Sequence, residues 1–327
     1  MLKEYYKDNL TAYEAKSEVQ KLTFYPMAFQ AARVMRTTGI LELVFKNRKK
    51  GISPQAVADE LKLPYYGVNT LLETGLTIGL VYLKEDDVYT ISKMGYHLLN
   101  DEATRVNLNF THDVCYKALF HLEEAILTEK PAGLHEIDIH DETIYPSLSK
   151  MKEPVRTSWF DFDHYYSDKA FPDALKIVFE DKPKHILDIG GNTGKWSIKC
   201  CEYNPDVKMT IIDLPAQWEK AKGNIEDLGL IDRISGQVGN VLHDDLQLPQ
   251  DADVVWMSQF LDCFSEEQIL HILSNINDKM GENTHIYIQE LFWDRQKDFA
   301  AAYSLHGTSL YFTVVANGNS KMYHSRD

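Results

Sequence analysis

Hydrophobic and polar positions follow two different rhythms along this chain. In the first, PMAFQAARVMRTTG places Ala28, Ala31, Ala32 and Met35 at helical spacing, with Gly39 as a stop. Leu43 and Val44 extend the apolar face before the basic stretch KNRKKG. In ISPQAVADELKL, Ser53 suits an N-cap and Pro54 the first helical position, with Val57 and Leu61 on one face. A further helix presents Val68, Leu71 and Leu72. The runs GLVYL and VYTIS then flank the polar turn KEDD, the pattern of a β-hairpin. Helix, turn, helix and hairpin in this order predict a winged-helix module over residues 1–100. Residues 101–180 read as a helical, irregular linker containing the aromatic stretch WFDFDHYYSD.

From Lys184 the rhythm changes to alternating strands and helices. HILDI, KMTIID, ADVVWMS and HIYIQELF are short apolar runs of strand type. GKWSIKCCEYN, PAQWEKAKGNIEDLG and SEEQILHILSNINDKMG are helical. In the last of these Ser265 and Gln268 form a capping box, Ile269, Leu273 and Ile276 line one face, and Gly281 is the stop. Such alternation predicts an α/β domain over 181–327, a doubly wound, mostly parallel Rossmann-like sheet.

Composition narrows the partners. The 327 residues carry 34 Lys and Arg against 49 Asp and Glu, a net charge of −15, which disfavours a phosphate backbone. The would-be recognition helix, PYYGVNTLLETGL, has no Lys or Arg to read guanine edges, so the module is expected to pack or dimerise and not to bind nucleic acid. No apolar run approaches the roughly 18 residues of a membrane span, and the N-terminus lacks a signal-peptide core. Cys115, Cys200, Cys201 and Cys263 form no C-x-x-C pair, so neither a disulfide framework nor a metal is called for. A reducing, cytoplasmic location fits.

The candidate chemistry starts at L-D-I-G-G-N-T-G. Gly190, Gly191 and Gly194 allow a tight turn after the first strand of the larger domain, where doubly wound folds bind ligands. A dinucleotide pattern begun at Gly190 needs glycine at Asn192 and Lys195, and fails at both. Asp188 instead suits a cationic ligand such as the amino group of S-adenosylmethionine (SAM), and Asp213 at the next strand end can accept from a ribose diol.

These segments resemble the SAM-dependent O-methyltransferases of the plant and polyketide type over nearly the whole chain. The resemblance implies a homodimer made through the N-terminal domain, SAM as cofactor with S-adenosylhomocysteine (SAH) as product, and a hydroxylated aromatic or polyketide-like acceptor. It assigns LDIGGNTG to the cofactor loop, with Asn192 where glycine is usual; asparagine tolerates left-handed angles. It places Asp213 and Leu214 at the ribose, Asn240 and Val241 beside the adenine, Ser258 and Gln259 at a strand end by the cofactor, and Ser167 at the methionine part. Trp159, Phe160, His164, His306 and His324 are expected around the acceptor.

The family's catalytic histidine is replaced here by Asp262, with Glu290 on the next strand end. An ordinary aspartate, with a pKa of about 3.9, is a poor base for a phenol, so burial and a like-charged neighbour must raise it. Otherwise His164, His306 or His324 substitutes, or the protein binds SAM with altered or lost chemistry. A winged-helix transcriptional regulator is the different-class alternative. Five strands are counted, ending with HIYIQELF, and the family adds two more; the expectation is a longer natural chain or another cover for that edge.

Overall fold

The computed structural model describes residue 5 and residues 7–326; the signal-peptide reading rests partly on residues 1–4 and 6, outside the described residues. The described residues pack as two units, residues 7–109 and residues 110–326 with Tyr5. The boundary therefore falls near residue 110, and the stretch expected to be a linker belongs, apart from its first nine residues, to the larger unit.

The smaller unit contains α1 (Ala12–Thr37), α2 (Ile40–Lys46), α3 (Pro54–Leu61), α4 (Tyr65–Thr77), an antiparallel hairpin of β1 (Val81–Glu85) and β2 (Val88–Ile91), and α5 (Lys93–Asn100). The Ser53 hydroxyl caps α3 by accepting from the Ala56 N–H, and Pro54 opens the helix. Ile52 bridges to Tyr89, adding a short third edge to the hairpin. Met35, Ile40, Leu41, Val57, Val68 and Leu72 form the core. On α1, Val19, Leu22, Phe24, Tyr25 and Met27 are exposed.

Four further helices, α6 (Glu102–Phe110), α7 (Leu122–Thr128), α8 (Val155–Ser167) and α9 (Phe171–Val178), lead into the sheet domain. There β3 (His185–Ile189), α10 (Lys195–Tyr203), β4 (Lys208–Asp213), α11 (Pro215–Asp227), β5 (Ile234–Val238), β6 (Val254–Ser258), α12 (Glu266–Lys279) and β7 (His285–Gln289) are followed by α13 (Phe299–Tyr311). The strands pair in parallel in the order β5-β4-β3-β6-β7, so the sheet winds outwards both ways from β3. β5 has mixed polar and glycine composition, ISGQV, and no apolar run announces it.

Alternation along the strands explains the two cores. Ile186, Met209, Ile211, Val254 and Trp256 pack on one face, and Leu187, Ile189, Ile212, Val255 and Met257 on the other. Because both faces are covered, the strands read as continuous apolar runs. β7 differs: it is an edge strand, and Ile286 and Ile288 are exposed. The capping box of α12 forms as expected between Ser265 and Gln268, although Ile272, not Ile269 or Leu273, joins Ile276 in full burial.

Candidate active site

The winding leaves a crevice beyond the carboxyl ends of β3, β4 and β6, where open α/β sheets bind ligands. A cavity of about 390 Å³ opens there, within the size range of small-molecule sites. Its lower wall is the loop after β3. Gly190 has φ +73° and a Cβ there would stand 2.2 Å from the Phe260 ring, so glycine is required on both counts. Asn192 has φ +49°, the left-handed conformation expected of it. A Cβ on Gly191 would meet an Asp188 carboxylate oxygen at 2.9 Å.

Asp188 is buried and accepts from the Ser197 hydroxyl at 2.7 Å. Burial pushes its carboxyl up to about 7, against the Ser197 bond, and the Asp213 charge adds to the rise. Asp213 accepts from the Asn192 N–H at 2.8 Å on one oxygen and the Leu214 N–H at 2.7 Å on the other. Each oxygen keeps a lone pair, so the carboxylate can still receive a vicinal diol. Burial holds it at about 6 in spite of those two donors. Leu214, Asn240, Val241, Ser258, Gln259 and Ser167 all line the same cavity. A glycine cradle, a buried carboxylate beside it and a diol-accepting carboxylate fit SAM.

Gly194 is not on the wall. A Cβ there would stand 3.3–3.5 Å from Ala221, Ile211 and Ile225, so Gly194 serves the packing of the start of α10 against α11 and β4.

The far end of the cavity is aromatic. Trp159, Phe162 and Tyr311 line it; the Trp159 indole donates to the Tyr311 hydroxyl at 2.7 Å, and Phe162 stacks on Phe110 at 3.9 Å. Phe160, expected at the acceptor, is half-buried against the same core cluster as Phe162 and is not among the residues that line the cavity. Counting from Trp159, the three- and four-residue steps of a helix reach Phe162 and Asp163, not Phe160. His164 does line the cavity, 3.7 Å from Asp168 and 3.8 Å from Asp163. His306 and His324 do not: they pack around Trp293, with ring centroids 4.8 and 5.2 Å from it.

Asp262 lines the cavity from the short turn Leu261–Cys263 and is 5% exposed. The Cys263 thiol approaches one of its oxygens at 3.5 Å. Burial pushes Asp262 up to about 7, and the charge of Asp163 pushes the same way. Glu290 is not on the wall but behind it. One of its oxygens accepts the backbone N–H of Phe260 at 3.0 Å and of Leu261 at 2.8 Å, so it holds the turn that carries Asp262. The other oxygen is buried without a hydrogen-bond partner. Burial, then the Asp262 charge, raises the Glu290 carboxyl well above its ordinary value.

Several wall residues carry no sequence signal of their own. Asp168 receives Lys195 at 2.8 Å. Burial works against its charge, but the hydrogen bonds of His164 and Lys195 win and hold it at about 2. Asn192 donates to Asp163 at 3.2 Å, tying α8 to the glycine loop. Gln259 has φ +46°, a left-handed non-glycine residue at the end of β6, where strain marks functional turns.

Fold and site together define a SAM-dependent methyltransferase. Residues 16–89 match the Dimerisation2-like domain and residues 171–325 match the O-methyltransferase domain. Through these two matched domains the chain is similar, over most of its length, to SAM-dependent O-methyltransferases of the plant and polyketide type. It is 22% identical over 305 residues to an L-tyrosine C(3)-methyltransferase of Streptomyces lavendulae, covering 92% of this chain and 81% of that protein. It is 30% identical over 114 residues to a 3-hydroxy-5-methyl-1-naphthoate 3-O-methyltransferase of Streptomyces sahachiroi, covering 35% of this chain and 32% of that one. The chain thus spans about a third of the length of that second relative. Among solved structures, the SAM-dependent methyltransferase SibL superimposes with a TM-score of 0.68 at 20% identity, covering 94% of this chain and 89% of that one. PigF with SAH gives 0.68 at 17%, covering 97% and 91%. No helix among the described residues is long and apolar enough to cross a membrane.

Proposed function

We propose that the protein transfers the methyl group of SAM to a hydroxyl of an aromatic or polyketide-like small molecule, with Asp262 as general base. The observation that carries this is Asp262 itself. It is a buried carboxyl held near 7, on the wall of the cavity whose other end holds the cofactor residues. A base near neutrality combines a deprotonated state with real proton affinity, which an ordinary aspartate lacks. Glu290 is a positioning residue, accepting the consecutive Phe260 and Leu261 amides at the start of the turn.

SAM, when bound, would supply an electrophilic methyl group and leave as SAH, and Asp262 would take the proton of the attacking acceptor oxygen. Asp188 and Asp213 would hold the cofactor at its amino group and ribose. Trp159, Phe162 and Tyr311 hold a flat acceptor, and proximity supplies much of the rate. The residues around the acceptor are expected to include His164 and Trp159. The N-terminal unit is read as the homodimer contact, supported by its domain match and the exposed apolar side chains of α1. α4 has no Lys or Arg, which argues against a DNA-reading role.

Calorimetry with SAM and SAH, followed by transfer of labelled methyl to a panel of phenols and naphthols, tests the reading. Cofactor binding with labelled O-methyl product is the expected result. Binding with no product across the panel would overturn the transferase, and no cofactor binding would overturn the site. A second reading, methylation at carbon or altered chemistry, is favoured by Asp262 standing where a histidine is usual. It also finds support in relatives named as an L-tyrosine C(3)-methyltransferase and an aclacinomycin 10-hydroxylase. Mass spectrometric location of the new methyl group separates the two.

A further inference from the structure

We infer that His121, His135 and Glu136 form a binding site for a divalent transition metal of the zinc type, on a face of the larger unit apart from the methyl-transfer cavity. The three side chains lie on two tight turns, Ala118–His121 and Leu134–Ile137. His121 Nε2 is 3.2 Å from Glu136 Oε1, and His135 Nε2 is 3.7 Å from the same oxygen. All three donor atoms fall within 4.8 Å of one another. Zinc bonds of about 2.0–2.1 Å in tetrahedral geometry put neighbouring donors roughly 3.3–3.4 Å apart. The two edges to Glu136 bracket that spacing and the edge between the histidines is no longer than 4.8 Å, so a metal can enter by drawing the three side chains together.

The platform is rigid for a reason visible in the packing. Ala118, Leu134 and Ile137 are buried in the core of the larger unit. A Cβ on Gly133 would meet the Ala118 carbonyl oxygen at 2.5 Å, so only glycine lets the two turns lie this close. The Gly133 N–H donates to the Val314 carbonyl at 2.9 Å, pinning the second turn to the segment Phe312–Ala316 that follows α13. The rings of His121 and His135 meet edge to face at 4.5 Å. On the far side of His121, Nδ1 lies 3.9 Å from a Glu124 oxygen.

Two imidazoles and one carboxylate select zinc, cobalt or nickel over magnesium or calcium, which prefer oxygen alone. Side-chain exposures of 27% for His121, 49% for His135 and 34% for Glu136 leave a path for the ion and a position for water. None of the three lines the methyl-transfer cavity, so the metal would act as a clamp between the two turns and not on the acceptor.

The test uses the full chain, stripped with chelator and titrated with zinc sulfate by calorimetry. Cobalt chloride follows, watched for the visible bands of tetrahedral Co(II). The expected result is one saturable equivalent, with the cobalt spectrum displaced by zinc. His135→Ala and Glu136→Gln are each expected to weaken binding at least ~10-fold, the scale seen even for outer-shell losses. His121→Ala/His135→Ala should abolish the cobalt spectrum, and zinc should raise Tm in the unmodified protein but not in that variant. Retained SAH binding certifies the fold of each variant, and Glu136→Gln, the gentlest change, covers the case in which the double variant misfolds. Absence of saturable binding, or binding that survives all of these substitutions, would overturn the site.

Discussion

Replacing Asp262 by Asn is expected to lower activity and raise stability together. The side chain is 5% exposed, and burial holds its carboxyl at about 7 in the folded chain against an ordinary 3.8. Asparagine keeps the shape and loses the proton acceptor, so kcat should fall on the order of 10²–10⁴-fold. The pH profile should change as well. The base acts when deprotonated, so native kcat rises through pH 7, and the variant's profile should be flat there. Stability moves the other way. A carboxyl whose folded pKa is raised binds more protons folded than unfolded between pH 4 and 7, so the native protein loses stability as pH rises through that window. At about 1.4 kcal/mol per tenfold in proton affinity, the ceiling on that loss is about 4 kcal/mol. Asparagine escapes it, so the variant should melt higher than the native protein at pH 8 and show little difference at pH 4. The assays are labelled-methyl transfer from pH 5 to 9 and thermal melts at the two pH values. A variant with full rate at every pH, or one that melts lower at pH 8, would refute the buried-base argument.

Asp213→Ala should weaken SAH binding by roughly 10²-fold or more, since two charge-assisted hydrogen bonds at about 1.5–3 kcal/mol each are lost; calorimetry reads it, and an unchanged Kd would remove Asp213 from the ribose site. Gly190→Ala should destabilise the chain by about 1–3 kcal/mol from backbone strain alone, with a further penalty from a Cβ 2.2 Å from the Phe260 ring; urea titration reads the midpoint. Asp168 is held at about 2 by His164 and Lys195, so its contribution is complete above the unfolded pKa near 4 and is lost as pH falls from there towards 2. Lys195→Met should therefore flatten the acid side of the stability curve, and melts between pH 2 and 5 would show it.

Much of the fold was legible because the relevant physics is local. Short, nearly continuous apolar runs announced β3, β4, β6 and β7. Ser53, Pro54, Ser265 and Gln268 wrote the helix starts directly into the chain. The glycine loop was legible for the same reason: Asp188, Gly190 and Asn192 act through backbone angles and near neighbours. β5 escaped because ISGQV is neither apolar nor alternating and becomes a strand only by pairing with β4.

The sequence by itself determined the two-domain order, the βα rhythm and the position of Asp262, since each depends on spacing along the chain. Only the tertiary structure decided which aromatic lines the cavity, Phe162 and not Phe160, because the helical turn of α8 carries Trp159, Phe162 and Asp163 to that wall. It alone placed His306 and His324 around Trp293 and off the cavity wall, put Glu290 against the backbone of Phe260 and Leu261, and brought His121 to His135 and Glu136 across a glycine contact. The physical reason is the same in each case. Burial and through-space distance fix a side chain's charge state and partners, and residues far apart in the chain supply both.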